Sequence, residues 1–409
     1  MSHPPLRIGR PVWLRQPHSQ PTRYPALRGD RSVEVAVVGG GFSGALISLS
    51  LAEAGATVAL LESARIGRGS TAASTALLLQ EPDMNLEDLA ERYGVATSRR
   101  IWTASSDAAR DLVRTISGLK IDCGLVERPS VYYTTSLERI ESLRHELDSR
   151  RAAGISGQWL SPGRIRELTG MTAAGAILTH GNAQFDPYRA CLGLLRAAAA
   201  AGVQVHEHSP VSRIRATKDG VRMHTPHGSI DAGTVVIATG YATPDFRPLA
   251  GRFEMRHTYV LATKPLTPGQ RREVGLGPVL LWDTERPYHY ARWTQDHRLL
   301  LGGSDRDARP GARRSAMFTT ATRELREYFE RMYPALAGVA IDYAWEGLFA
   351  MTPDSLPYIG PHRRYPRHLF ALGYGGNGMT FAALAARMLR EQWQGVKRPD
   401  HQLFAFGRD

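Results

Sequence analysis

The chain has 409 residues, 43% hydrophobic and 22% charged, which is the composition of a soluble globular protein long enough for two or three domains. It contains no apolar run of about 20 residues and no apolar core in its N-terminus, so we expect a cytoplasmic protein without a membrane span or export signal. The net charge of +12 is spread along the chain as arginine without a nucleic-acid motif, and the two cysteines have no metal spacing, so we expect neither a nucleic-acid partner nor a metal site.

Residues 1–30 are rich in Pro and Arg and have no hydrophobic periodicity. This composition predicts an extended arm that lies on the body of the protein or is partly disordered. The side chains expected to anchor it are Trp13, Leu14, Tyr24 and Leu27.

The next stretch predicts a strand, a glycine turn, a helix and a second strand. Val33–Val38 is a β-branched run, and glycines then follow with the spacing G-x-G-x-x-G. Gly39 permits the tight turn, Gly41 lets the backbone approach a pyrophosphate, and Gly44 lets helix and strand pack closely. Glu62 ends the second strand, at the separation where a carboxylate accepts hydrogen bonds from a ribose diol. The pattern predicts a dinucleotide site, whose turn residues are Gly39, Gly41, Phe42, Ser43 and Gly44.

The segment after Glu62 is dense in small and hydroxyl residues, which is typical of a loop and helix start wrapped around a ligand. Ser70 or Thr71 is expected to cap the helix and to donate to a phosphate. The alternative is a capped helix without a ligand. The candidate residues here are Gly69, Ser70, Thr71 and Ser74.

The middle of the chain alternates helical and strand patterns. A strand at 234–238 is apolar on both faces, as in the interior of a covered sheet, and runs into Thr239-Gly240. From 253 to 303 the pattern changes to alternating strands, which predicts an antiparallel sheet and a second domain.

The last strand, at 368–372, is followed by a second glycine loop and a helix starting near Met379. Its glycines let the backbone come close to a flat or anionic group, at which the helix N-terminus points its positive end. Two such turns favour a flavin over a nicotinamide cofactor, because a helix N-terminus stabilises the negative charge of reduced flavin. A purely structural turn is the alternative. The loop glycines are Gly373, Gly375, Gly376 and Gly378.

These motifs together resemble the FAD-dependent D-amino-acid-oxidase-like superfamily, which includes glycine and sarcosine oxidases and γ-glutamylputrescine oxidoreductases. The resemblance covers roughly residues 11–400, and the Trp13-Leu14 arm looks most like the γ-glutamylputrescine branch. The segments that carry it are Val37–Gly44 with Glu62, Gly67–Ser74, Phe185–Tyr188, Val235–Gly240, Trp345–Gly347, Thr352–Asp354, Pro357–Gly360 and Gly373–Thr380.

The resemblance implies an α/β fold in which a Rossmann-like FAD/NAD(P)-binding domain is interleaved with an α+β substrate domain containing an antiparallel sheet. The FAD-binding domain is expected at 31–95, 185–245 and 345–409, and the substrate domain at 96–184 and 246–344. The turn glycines are expected to cradle the pyrophosphate, Glu62 the ribose, and the backbone of Val211 the adenine. The remaining expected FAD contacts are Thr239, Gly240, Gly347, Gly376, Asn377, Gly378, Met379 and Thr380, together with Gly373 and Gly375.

Three departures from the family pattern narrow the expected chemistry. Sarcosine oxidases attach flavin to a Cys where this chain has Gly347, so we expect non-covalent FAD. Phe349 stands where glycine and D-amino-acid oxidases place a carboxylate-binding Arg, and Thr380 where sarcosine oxidases place a Lys. An amine, or an amino acid held from elsewhere, is therefore the expected substrate.

Candidate catalytic residues lie on one predicted strand of the substrate domain. Alternation puts Tyr288, Tyr290 and Arg292 on one face and His289 on the other. An amine must lose a proton before hydride transfer, and His289 or Tyr290 is a candidate to assist or orient it, with Arg292 beside them. A packing role is the alternative for each of these three residues. His257 and Tyr259 are further candidates on the neighbouring strand.

We therefore expect an FAD-dependent oxidoreductase that oxidises a C–N bond of an amine or amino-acid derivative to an imine by hydride transfer to flavin N5. Reduced flavin would then pass its electrons to oxygen or another acceptor. The alternatives are a flavin-bound subunit without turnover of its own, or an RNA-modifying flavoenzyme. The sequence carries no pattern that fixes the substrate, the acceptor or the oligomeric state.

Overall fold

The computed structural model describes residues 8–14, 22–309 and 311–408. Parts of the predicted arm (1–7 and 15–21), residue 310 and residue 409 lie outside the described residues. The strands are β1 (Gly29–Val38), β2 (Val58–Leu61), β3 (Leu77–Leu78), β4 (Val126–Glu127), β5 (Ser130–Thr134), β6 (Gln158–Leu160), β7 (Gly175–Thr179), β8 (Ala183–Gln184), β9 (Gln204–His206), β10 (Arg213–Ala216), β11 (Val221–Thr225), β12 (Gly228–Gly240), β13 (Glu254–Thr263), β14 (Leu280–Asp283), β15 (His289–Trp293), β16 (Leu299–Asp307), β17 (Ile341–Met351), β18 (Tyr358–His362) and β19 (Tyr365–Leu372).

The α-helices follow the predicted amphipathic and small-residue stretches. They are α1 (Phe42–Glu53), α2 (Ser70–Ala73), α3 (Leu86–Tyr93), α4 (Val95–Gly118), α5 (Ile140–Ala152), α6 (Pro162–Thr169), α7 (Pro187–Ala200), α8 (Arg247–Ala250), α9 (Pro268–Val274), α10 (Ala312–Met332) and α11 (Gly378–Trp393). None of the helices in the described part of the chain combines the length and the apolar character that a membrane crossing requires.

The first sheet has the order β10-β11-β12-β1-β2-β9, with β19 and β18 added beside the second half of β12. β1 lies between β12 and β2 and is parallel to both, so the carboxyl ends of these strands meet at one edge. β19 is also parallel to β12. This edge carries the first glycine turn, the end of β12 and the second glycine turn, which confirms the predicted Rossmann-like arrangement.

The second sheet has the order β17-β13-β16-β15-β14-β5-β7-β6 and is antiparallel apart from the β14–β5 pair. It contains the strands predicted between 253 and 303, so the antiparallel sheet is confirmed. One face packs against α10 through a core that includes Leu325 and Phe329. The other face looks towards α2 and the segment that follows it.

Two ranges differ in detail from the predicted domains. The predicted boundaries place α4 in the substrate domain, whereas Ile101 and Trp102 of α4 belong to the same core as α1 and α11. The boundary at 345 falls inside β17, which belongs to the second sheet as far as Met351. Both differences arise from long-range packing between these elements, which the hydrophobic periodicity of the sequence does not predict.

The described part of the N-terminal arm joins the two sheets. Gly9 forms a bridge to Trp345 of β17, and the Trp13 indole donates to the Ser74 carbonyl oxygen at 2.9 Å. Trp13 and Leu27 are buried, and Leu14 and Tyr24 pack against the core. These four side chains anchor the arm, as their apolar character predicted.

Candidate active site

The first glycine turn is close-packed at two of its three glycines. Gly39 has φ +115°, and a Cβ there would lie 2.6 Å from the Ala238 carbonyl oxygen. A Cβ on Gly44 would overlap the Gly39 carbonyl oxygen. Gly41 differs, because its φ of −83° suits any residue and a Cβ would meet only the Thr71 hydroxyl, at 3.2 Å. Gly39 and Gly44 therefore shape the turn, whereas Gly41 keeps its outer side open.

The N-terminus of α1 presents backbone donors next to this open side. The Phe42 N–H donates to Thr71 Oγ1 at 2.9 Å, while the Phe42 ring stacks on Phe185 inside the protein. The other N–H groups of the first turn, including that of Ser43, have no acceptor within the helix. They are available to a pyrophosphate.

The predicted cap of the short helix α2 is wrong. Gly69 precedes the helix, and no side chain caps its first turn. The Ser70 hydroxyl instead donates to the Leu348 carbonyl oxygen at 2.9 Å, and Thr71 caps α1. Ser74 accepts from the Ala76 N–H at 3.0 Å. The segment thus ties α1 to β17, an arrangement that its composition alone does not reveal.

Glu62 stands over the first turn. Its Oε2 accepts from the Gly40 N–H at 2.8 Å, and its Oε1 from the Ala64 N–H at 2.8 Å. The Ser63 hydroxyl also donates to Oε1, at 3.1 Å. These bonds fix the carboxylate, while Oε2 retains a further lone pair for a ribose hydroxyl. Val211, the expected adenine contact, is partly buried and packs against a hydrophobic cluster of the first sheet that includes Val33 and Ala36 of β1.

The two glycine turns lie side by side. The Gly373 N–H donates to the Gly240 carbonyl oxygen at 2.9 Å, and Gly240 ends the strand that Gly39 contacts through Ala238. The Thr239 hydroxyl donates to the Tyr241 carbonyl oxygen at 2.8 Å, which holds this strand end. Residues predicted from opposite ends of the chain therefore form one cradle.

The second turn is closed by the segment 79–83. The Gly376 N–H donates to Asp83 Oδ2 at 2.6 Å, and the Asn377 side-chain amide donates to the Glu81 carbonyl oxygen. The Thr380 hydroxyl donates to the Leu79 carbonyl oxygen at 2.6 Å. A side chain at Gly375 would be strained, since its φ is +57° and a Cβ would lie 2.8 Å from Asp83 Oδ2. At Gly378, the first residue of α11, a Cβ would meet nothing within 4 Å; Met379 beside it is buried.

One face of the second sheet looks towards this cradle. The Tyr290 hydroxyl lies 3.1 Å from Thr258 Oγ1, and the Tyr288 hydroxyl donates to the Asp83 carbonyl oxygen. Gly347 is paired with Thr258, and a Cβ on it would lie 3.0 Å from Ala73 Cβ. We call this the substrate face and define it by Tyr288, Tyr290, Thr258, Gly347 and Asp305.

His289 lies on the opposite face, as the alternation predicts. Its Nδ1 is 2.9 Å from Asp283 Oδ2, and its ring stacks on Tyr328 of α10 with 3.7 Å between centroids. Tyr259 also faces α10, and His257 lies 3.7 Å from the buried Glu346. This placement lends no support to a role of His289 at the cradle.

Arg292 shares the face of Tyr290 but is buried among carbonyl oxygens. Its guanidinium donates to Thr75 at 2.6 Å, to Phe185 at 2.8 Å and to Trp293 at 3.2 Å. Burial lowers the pKa of Arg292 to about 9. Its contacts are those of a structural residue that joins three segments, and contact with a substrate stays a prediction.

Two carboxylates at the site were not predicted. Burial raises the pKa of Asp83 to about 6, against the opposing effects of the Gly376 N–H and the Arg286 charge. Burial also raises the pKa of Asp305 to about 6, while the Thr258 hydroxyl beside it acts in the opposite direction. No motif marks either residue. Asp305 reaches this face because the β13–β16 register shifts at Ser304, which has φ +56°.

A family model described as FAD dependent oxidoreductase matches residues 34–392. The chain belongs to this family. It is an FAD-dependent oxidoreductase, and the resemblance to the D-amino-acid-oxidase-like proteins is confirmed.

Curated relatives and solved structures agree with this assignment. The chain is 28% identical to γ-glutamylputrescine oxidoreductase of Escherichia coli K12, over 91% of this chain and 86% of that protein. It is 27% identical to glycine oxidase of Geobacillus kaustophilus, over 88% and 92%. The crystal structure of that glycine oxidase superposes with a TM-score of 0.76 at 24% identity, covering 92% of this chain and 99% of that chain. L-proline dehydrogenase from P. horikoshii has the same fold, with a TM-score of 0.77 at 19% identity, over 93% and 97%.

The residues of the cradle fit FAD. The free N–H groups of α1 suit a pyrophosphate, and the fixed Glu62 carboxylate suits a ribose. The start of α11 lies at the second turn, beside the substrate face. The predicted FAD contacts in both turns and at the end of β12 are thus brought together.

Proposed function

We propose that this oxidoreductase oxidises the C–N bond of an amine or amino-acid derivative to an imine. The observation that carries the proposal is the substrate face, where phenol, hydroxyl and carboxylate groups stand opposite the second glycine turn. Two relatives named for amine or amino-acid substrates, γ-glutamylputrescine oxidoreductase and glycine oxidase, support the same reaction class.

The chemistry supplied by bound FAD is acceptance of a hydride at N5 and transfer of two electrons to oxygen or another acceptor. On the substrate, the α-carbon loses the hydride, the nitrogen lone pair forms the C=N bond, and water then hydrolyses the imine. The nitrogen must be deprotonated first, because its lone pair is otherwise engaged.

The roles of this chain's own residues follow from their positions. The donors of α1 and the Glu62 carboxylate would hold the cofactor at one end, and the start of α11 at the other. Tyr290, hydrogen-bonded to Thr258, would orient the substrate on its face. We propose that FAD is bound non-covalently. Gly347 stands where sarcosine oxidases have the flavin-attaching Cys, and it offers no side chain for attachment.

The substrate is proposed to be held without the family's usual carboxylate-binding residues. Phe349 is paired with Arg256 on β13, and the Thr380 hydroxyl is engaged by the Leu79 carbonyl oxygen. These positions favour an amine, or an amino-acid derivative whose carboxylate is bound elsewhere. The cytoplasmic location stays a prediction from the sequence.

The test is anaerobic titration of the yellow holoprotein with amines, N-methyl amines and D-amino acids, read by loss of the oxidised flavin absorbance. We expect at least one amine to bleach the flavin and to yield the matching carbonyl compound. A folded protein that takes up no FAD contradicts the proposal. FAD-loaded protein that no amine reduces and that co-purifies with a partner would favour a subunit without turnover, whereas salt-dependent tRNA binding would favour an RNA substrate.

A further inference from the structure

We propose that Asp305 binds the ammonium group of the substrate, so that the enzyme selects a cationic amine over a carboxylate-anchored amino acid. This inference rests on the proposed function and specifies its substrate class. In glycine and D-amino-acid oxidases an arginine is expected to bind the substrate carboxylate. Here a carboxylate would instead bind the positively charged end of the substrate.

The position of Asp305 places it among the residues expected to meet substrate. In β16, Arg306 is paired with His257 and Gly303 with Tyr259, and the shift between these pairs leaves Asp305 beside Thr258. His257 and Tyr259 face α10, so Thr258 and Asp305 face the cradle. The Tyr290 hydroxyl completes the group, at 3.1 Å from Thr258 Oγ1.

One oxygen of this carboxylate is left without a partner. Asp305 Oδ1 is shielded from solvent and accepts no hydrogen bond from any residue in the described part of the chain. A buried carboxylate oxygen without a donor is costly, and proteins rarely leave one in this condition. A substrate ammonium group has the charge and the N–H donors that this oxygen lacks.

The neighbouring charged groups leave this role to Asp305. The Arg256 guanidinium, whose positive charge also acts on Asp305, is paired with Glu254 at 3.0 Å, and Arg286 stacks over the Tyr288 ring at 3.9 Å. The Asp83 carboxylate is held by the Gly376 N–H, and its negative charge also acts on Asp305. His289 acts on Asp305 only from the opposite face of the sheet.

Gly302 makes room for this arrangement. A Cβ on Gly302 would overlap the Tyr290 ring, so the ring lies directly across the backbone of β16. Tyr290 therefore forms an aromatic wall next to the carboxylate, and an aromatic face beside an anion is a favourable setting for a cation.

The experiment uses three probes that share a tert-butyl group on the FAD-loaded protein: tert-butylammonium, tert-butanol and pivalate. The tert-butyl carbon carries no hydrogen, so tert-butylammonium cannot form an imine and its binding is measured without turnover. Affinities are measured by calorimetry at pH 8 for the wild type, for Asp305→Asn and for Asp219→Asn. Asp219 is an exposed residue in the turn between β10 and β11, so its variant removes the same charge away from the site.

We expect the wild type to bind tert-butylammonium more tightly than tert-butanol or pivalate. Asp305→Asn should weaken ammonium binding at least about tenfold, with FAD content retained and a melting temperature no lower than that of the wild type, whereas Asp219→Asn should leave ammonium affinity unchanged. Equal ammonium affinity in the wild type and Asp305→Asn, no measurable binding to the wild type, or a preference for pivalate would each overturn the proposal. Because no probe is oxidised, this outcome is independent of whether any amine reduces the flavin.

Discussion

Replacing Gly41 by alanine should weaken cofactor binding while leaving the stability of the fold almost unchanged. The residue has φ −83° and ψ −172°, which alanine adopts readily, and a new Cβ would touch only the Thr71 hydroxyl at 3.2 Å. We therefore expect the free energy of unfolding of the Gly41→Ala apoprotein to lie within about 1 kcal/mol of the wild-type value. The methyl group would nevertheless stand on the open side of the turn, where a pyrophosphate must approach the N–H groups of α1.

The expected loss of FAD affinity follows from the hydrogen bonds at stake. A hydrogen bond to a charged group is worth about 1.5–3 kcal/mol. Displacing the pyrophosphate from one such donor should weaken FAD binding by about 10- to 150-fold. The assay titrates apoprotein with FAD and follows the quenching of flavin fluorescence, and urea unfolding of the same apoprotein measures its stability.

Two other glycines provide the controls. Gly251 has φ −68° and no atom within 4 Å of a built Cβ, so Gly251→Ala should change neither stability nor FAD affinity. A Cβ on Gly44 would overlap the Gly39 carbonyl oxygen, so Gly44→Ala should destabilise the fold itself. If Gly41→Ala binds FAD as tightly as the wild type, the pyrophosphate does not lie against this turn and the reasoning is refuted.

Four further outcomes are expected. Arg292→Met should lower the free energy of unfolding in urea by about 3 kcal/mol or more, because three buried carbonyl oxygens lose their donor; an unchanged stability would show that these bonds matter little. Affinity for tert-butylammonium should rise as pH rises through about 6, where Asp305 loses its proton, and Asp305→Asn should lose most of this dependence; the other facing groups are Asp83, Arg256, Arg286 and, across the sheet, His289. The raised pKa of Asp305 also means that the folded state holds this proton more tightly than the unfolded state, so its contribution to the free energy of unfolding should decrease as pH increases from the ordinary carboxyl pKa to about 6. Urea unfolding of Asp305→Asn should show a smaller decrease than the wild type, because the raised pKa of Asp83 leaves part of the decrease in place. Acid denaturation should release all flavin into the supernatant as free FAD, and flavin that stays with the pellet would contradict non-covalent binding.

The parts of the molecule that sequence predicts well are local ones. Gly39 and Gly44 are specified by backbone conformation and close contact within one βαβ unit, so their spacing carries the information. The alternation along β15 correctly separated His289 from Tyr290. It did not say which face meets the cradle, because that depends on how the second sheet packs against α10.

The residues that sequence missed depend on long-range geometry. Asp305 reaches the substrate face through a register shift between β13 and β16, and no local pattern predicted this shift. Asp83 matters because the segment 79–83 folds back onto a glycine loop almost 300 residues away in the chain. α4 joins the core of α1 and α11 for a similar reason, since its apolar stripe specifies a buried face but not its partner.

The central claim is that flavin held between the two glycine turns accepts a hydride from an amine presented by the substrate face. Its most direct test is anaerobic mixing of the purified holoprotein with candidate amines while the flavin spectrum is recorded. We predict full bleaching by a cationic amine, with one carbonyl product per flavin reduced. An oxidised flavin spectrum that persists with every amine, in a folded protein loaded with FAD, would contradict the account.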